Sequence, residues 1–163
     1  MGDGEYRILS PFREVPVSSL ACEDNGALLR IWREKAGDRF APPWTEFDLL
    51  DLPASYIPRI MVVDVIPGQD DFRYRFFGTW QTDCHKVDMS GKRISDYPHT
   101  EFRDEILRGY LEVVKRKVPL LFHYHMTLEN VAYQGELLRL PLSDDGEAVT
   151  AVIMGETLFD ETS

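Results

Sequence analysis

The apolar and polar positions of this chain change period several times, and the changes divide it into elements. Residues 1–24 follow no clean period and carry Pro11 and Pro16, so they read as an N-terminal arm. From Gly26 to Ala36, Leu28, Leu29, Ile31, Trp32 and Ala36 recur near one helical face, with Gly37 placed to end the helix. A second short helix is expected over 45–52, with Thr45 as its cap and Asp48 as a capping-box acid, before Pro53 and Pro58 end helical character. Two strands follow, Arg59–Ile66 and Phe72–Phe77, joined by a Pro-Gly-Gln-Asp-Asp turn. The second alternates, with Phe72, Tyr74 and Phe76 expected on one side and Arg73, Arg75 and Phe77 on the other. Short helical pieces are expected over 79–97, broken at Ser90-Gly91, and a long helix from Thr100 to about Val118. Phe102, Ile106, Tyr110, Val113 and Val114 form that helix's apolar stripe, with acids near its start and bases in its last turn, as the helix dipole favours. Three further strands are expected: Leu120–Leu128, Tyr133–Leu142 and Val149–Phe159, the last two separated by Asp144-Asp145-Gly146. Strands in two groups around a helical middle imply an α+β domain with an antiparallel sheet.

Composition narrows the class. A chain of 163 residues with 44% hydrophobic and 12% aromatic residues can form one packed domain, expected over 25–160 behind the arm. The net charge of −10 argues against general binding to nucleic-acid phosphates. Cys22 and Cys84 match no metal or disulfide spacing. MGDGEYRILSPFREV lacks the basic and apolar regions of an export signal, and no apolar run approaches the roughly 20 residues that span a bilayer. A cytoplasmic protein with reduced thiols, binding neither nucleic acid nor membrane, is the expectation.

The order of two strands, a helical connection, a long helix and three strands resembles a PAS domain. Tyr74-Arg75-Phe76-Phe77-Gly78-Thr79, Met89-Ser90-Gly91-Lys92 and Leu140-Pro141-Leu142-Ser143 are similar to motifs of a bacterial PAS subfamily with two leading helices. The resemblance covers about Leu28 to Phe159. It implies a five-stranded antiparallel sheet with helices on one face, leading helices before it, and a sensory, ligand-binding or protein-contact role. It implies no catalysis, and the chain carries no kinase, cyclase or DNA-binding segment. A signal would pass to a separate partner or through a homodimer, for which Leu28 and Trp32 of the leading helix are the candidates. Relative to the family, the segment Trp80 to Lys86 is unusually polar.

The candidate chemistry is sparse. Tyr74, Phe76, Trp80, Phe102, Tyr110, Tyr124, Met126 and Met154 are expected on the inward face, where core packing is their first role and a ligand pocket their second. Arg139 is a polar candidate on the same sheet for a carboxylate or phosphate. Cys84 and His85 join this set from the polar helix. Cys84 faintly resembles the flavin-reactive cysteine of light-sensing PAS relatives, but the Arg and Gln that hold the flavin there are missing. His85 alone does not supply the apolar slot and basic groups that haem needs. The expected cofactor is therefore neither, and the ligand is left unknown. His123 and His125 project from one strand face, with Glu136 expected opposite His125, a possible metal set weighed against a plain polar sheet surface. Asp70-Asp71 and Asp144-Asp145 are explained by turn formation. No nucleophile, phosphate loop or dinucleotide motif occurs, so no enzyme is expected.

Overall fold

The computed structural model describes residues 7–159; residues 1–6 of the expected arm, and the expected domain end at residue 160, lie outside them. The chain builds one antiparallel sheet from β1 (Arg7–Val15), β2 (Ile60–Ile66), β3 (Asp71–Phe77), β4 (Leu120–Leu128), β5 (Val131–Leu142) and β6 (Ala151–Leu158). Its order is β1-β4-β5-β6-β2-β3. The helices are α1 (Glu23–Ala36), α2 (Thr79–His85) and α3 (Thr100–Arg116). The fold is α+β. β2 to β6, with α2 and α3 between β3 and β4, follow the PAS-like order, with the last strand seated beside the first of the five.

The sheet has six strands rather than five, because the segment expected as an arm supplies β1. That strand pairs with β4 from Arg7 opposite Thr127 to Val15 opposite Leu121. Its register shifts between Ile8 and Ser10 and again between Ser10 and Arg13, which hides the two-residue period in the sequence. Pro11 is tolerated because β1 is an edge strand.

Both faces of the sheet are covered: α2 and α3 lie on one face, as expected, and the leading helix α1 takes the other. Alternation along each strand sends one set of side chains to each side. On one side Val63, Phe122, Leu137 and Met154 pack beneath Phe102, Ile106, Tyr110 and Val113 of α3. On the other side Ile60, Val62, Leu121, Leu138, Leu140 and Ile153 pack beneath Leu28, Leu29, Trp32 and Ala36 of α1. The leading helix is thus internal. Leu28 is fully buried and Trp32 nearly so, and the Trp32 indole donates to the Pro141 carbonyl at 2.7 Å. This removes both residues as partner contacts: their apolar face is spent on the chain's own sheet. Pro141 is tolerated in this long strand for a separate reason. Pairing with β4 ends at Arg139, so a backbone N–H at position 141 has no ladder partner to lose.

The helix expected over 45–52 is two separate 3-10 turns, Trp44–Glu46 and Leu49–Asp51. Asp48 between them is extended, and its side chain accepts from the Leu50 N–H at 2.9 Å. A stretch this short between Pro43 and Pro53 gains too few helical bonds to offset nucleation, and the local Asp bond wins.

β3 also departs from simple alternation. Val62 faces Phe76 while Val63 faces Tyr74, so Arg75 is an extra residue in a bulge. The bulge reverses the side-chain parity. Phe72, Tyr74 and Phe77 enter the core under α3, and Phe76 packs with the α1 side.

Candidate functional site

A small cavity of about 20 Å³ lies between the sheet and α3, room for about one water molecule. Six of the residues expected at a pocket line it: His85, Phe102, Tyr110, Met126, Arg139 and Met154. Phe12, Met61, Ile106, Leu137 and Glu156 complete its wall. Tyr74, Cys84 and Tyr124 lie in the same core without lining the cavity. Phe76 is on the opposite face, for the reason given by the bulge. Trp80 is half-buried nearer the surface, under the Arg59 guanidinium at 4.3 Å and edge-on to Tyr133 at 6.0 Å.

The polar content of this core sets it apart from ordinary packing. Arg139, Glu156, Gln81 and His85 are all buried. Glu156 uses both carboxyl oxygens, one accepting from Gln81 at 2.9 Å and the other from the Tyr124 hydroxyl. Burial pushes its carboxyl pKa up, opposed by those two bonds and by the charges of Arg59 and Arg139. Gln81 Nε2 also donates to the Arg59 carbonyl at 3.0 Å, which ties α2 to the start of β2. The unusually polar helix of the sequence is therefore the partner of a buried acid that sequence reading did not single out. Its signal was available: Glu156 falls two residues beyond Met154, on the inward face of the last strand.

Arg139 is the largest fully buried side chain among the described residues. Its guanidinium lies over the Tyr110 ring at 4.7 Å and the Phe122 ring at 4.9 Å. Gly109 of α3 makes this possible, since a Cβ there would stand 2.7 Å from Arg139 Nη1. Arg139 Nε and Nη1, together with the Tyr110 hydroxyl, make no hydrogen bond of ordinary geometry, although burial raises the Tyr110 pKa and Arg139 stands close enough to oppose that rise.

His85 also lines the cavity and is hydrogen-bonded through Nδ1 to the Tyr97 hydroxyl. Burial pushes its imidazole pKa down to about 4, helped by the neighbouring His99. The ordinary value is about 6.5, so between pH 6.5 and 4 the unfolded chain binds the proton that the folded chain refuses. Stability from this source is complete above pH 6.5 and is lost as pH falls. We expect a loss of about 2 kcal/mol between pH 7 and pH 5 that His85→Gln removes. Urea midpoints of both proteins at the two pH values test this; equal pH dependence in the two would refute it.

The cysteines offer no nucleophile. Burial pushes the thiol pKa of both Cys22 and Cys84 up to about 11, which keeps each protonated at neutral pH.

The metal set does not assemble. The observed register places His123 opposite Glu136 and His125 opposite Gln134. His123 Nε2 stands 3.6 Å from Glu136 Oε2, beyond a good hydrogen bond. Glu136 is instead buried under the start of α1. Its carboxylate accepts from the Cys22 N–H at 3.0 Å, the Ala21 N–H at 3.3 Å and Asn25 Nδ2 at 3.4 Å. Asn25 in turn donates to Thr157 at 3.1 Å and accepts from the Tyr56 hydroxyl. Among the described residues no group of three or more His, Cys, Asp and Glu side chains is placed to hold a metal ion.

A larger recess of about 190 Å³ opens at the surface between the β2–β3 turn and Leu111 and Val114 of α3. Gln69, Asp70 and Asp71 are its polar residues, and Asp71 is already committed, accepting from the Phe72 N–H at 2.8 Å and from Ser95. Unsatisfied buried donors occur at the smaller cavity, which makes that the candidate site. Among the described residues no helix is long and apolar enough to cross a membrane.

No family model matches this chain, and no curated protein matches it. Among solved structures it is similar to one described as "Structure of an RNA-binding Light-Oxygen-Voltage Receptor", at 14% sequence identity and a TM-score of 0.44. That match covers 97% of this chain and 39% of the other, so the chain spans well under half the length of that protein. At this level the likeness carries no argument. RNA binding and light reception are attributes of that receptor, and the fold described above stands on the chain's own strand order.

Proposed function

We propose that this chain is a PAS-like sensory module of the bacterial subfamily its motifs resemble. It works in the cytoplasm, takes up a small molecule between the sheet and α3, and reports occupancy to a separate partner or to a second copy. It performs no catalysis. The observation that carries this reading is the polar lining of the inner core: a buried guanidinium and phenol with unused donors, beside a buried acid and a neutral imidazole. A core kept only for stability is better served by apolar residues, because unsatisfied buried polar groups are costly. Native mass spectrometry of protein purified from its own host tests the proposal. A bound small molecule, released on denaturation, is the expected result. A bare chain, together with no metabolite that raises the melting temperature, would overturn it.

The second reading is an interaction module with a filled core, and the cavity of about 20 Å³ favours it. It predicts a bare chain and a stable complex with a protein partner or a second copy, which sedimentation of the same preparation detects. Ligand uptake under the first reading requires the core to open, so bound and free protein would differ in amide exchange along β1 and α3.

A further inference from the structure

We propose that Arg139 and Tyr110 form an anion-binding site, whose ligand is the carboxylate of a short organic acid or an inorganic oxyanion of similar size. This deepens the sensory reading above and rests on it.

Arg139 is 1% exposed, yet Nε and Nη1 meet no acceptor. A guanidinium keeps its charge in any protein environment, so it cannot relieve its burial by losing a proton. Burial raises the Glu156 pKa and the Arg139 charge acts to lower it, but neither Nε nor Nη1 bonds to that carboxyl: its two oxygens accept from Gln81 and Tyr124. The guanidinium carbon lies over the Tyr110 and Phe122 rings, 4.7 and 4.9 Å from their centroids, and an aromatic face offers it no acceptor oxygen. Hydrogen bonds to guanidinium form in its plane, where the unused N–H groups point. The Tyr110 hydroxyl, also without a partner, lines the same cavity. Gly109 is the device that admits the charged group between helix and sheet. A ligand that satisfies this set must bring negative charge and acceptor oxygens, which is the chemistry of a carboxylate or oxyanion.

The cavity as it stands has room for about one water molecule, so even the anionic head must displace a wall residue, and Phe12 is the most easily moved of these. It is half-buried and sits on the edge strand whose register is twice broken.

The test uses the full chain, with sodium acetate, propionate, nitrate and phosphate each compared with sodium chloride at matched ionic strength. In the wild type we expect at least one oxyanion to raise the melting temperature saturably, by about 3 °C at ten times Kd. The same anion should shift the Arg139 Nε–H resonance. Tyr110→Phe should weaken that anion about tenfold, and Arg139→Met should abolish the effect while folding normally. Acetate and propionate against nitrate and phosphate separate the organic from the inorganic source. The proposal falls if no anion moves either readout beyond the chloride control, or if the response survives in Arg139→Met. Should Arg139→Met fail to fold, Tyr110→Phe and the Nε–H resonance decide. A neutral molecule in host-purified protein, with no anion response, would sink the anion site and leave the sensory reading standing. A bare chain with no response to anions or other metabolites would sink both.

Discussion

Glu136→Ala is expected to destabilise the protein by about 4 kcal/mol. The carboxylate is fully buried and receives two backbone N–H groups at the entry to α1, with the Asn25 amide as a third donor. Helix α1 has no side-chain cap of its own at Cys22. The sheet therefore supplies from a distance the acceptor for the N-cap N–H that a capping-box glutamate ordinarily provides, and it places negative charge where the helix dipole favours it. Hydrogen bonds to a charged acceptor contribute about 1.5–3 kcal/mol each, and alanine leaves the donors buried without a partner. Glu136→Gln, which keeps one acceptor oxygen, should cost about half as much. Urea unfolding measures both. A midpoint for Glu136→Ala within experimental error of the wild type would show that the carboxylate is not structural. A metal-ligand role, by contrast, would cost metal affinity and leave the metal-free fold intact.

Gly155→Ala should cost about 3–5 kcal/mol, through overpacking rather than lost bonds. A Cβ at position 155 would stand 1.8 Å from the Tyr56 hydroxyl oxygen and 2.8 Å from Asn25 Oδ1. Tyr56 is fully buried, so the ring cannot swing into solvent. Tyr56→Phe removes the atom in closest conflict and should recover a substantial part of the loss. The double variant should then be more stable than the sum of the two single effects predicts, by about 1–2 kcal/mol. Strict additivity would mean that the clash is relieved by backbone movement instead. Because Asn25 joins Tyr56 to Glu136, this pair and Glu136→Ala act on one network, and their effects should not add.

Both positions show what could not be read along the chain. Glu136 was visible as one polar residue near two histidines, expected opposite His125 in a metal set or on a polar sheet surface, whereas it is fully buried. Which histidine it faces depended on hairpin register, and the observed pairing is with His123 rather than His125. Its true partners are more than a hundred residues away in sequence. Phe76 was assigned to the inward face by a two-residue period that the Arg75 bulge breaks. β1 was missed for a similar reason, since its register shifts erase the alternation that marks a strand. Of the cavity wall, Phe102, Tyr110, Met126, Arg139 and Met154 were legible, because long runs of regular period set their direction. Glu156 and Phe12 were not singled out.

The amino-acid pattern by itself determined the element order, the antiparallel α+β class, the inward stripe of α3 and most strand limits. These follow from local preferences and from burying one face of each element, and neither needs a knowledge of neighbours. Only the tertiary structure decided that α1 covers the second face of the sheet, that β1 extends it, and which buried polar groups find partners. Satisfaction of a buried donor depends on what lies across the interface. The same packing that gives Glu136 and Glu156 their donors leaves Arg139 Nε and Nη1 and the Tyr110 hydroxyl without acceptors.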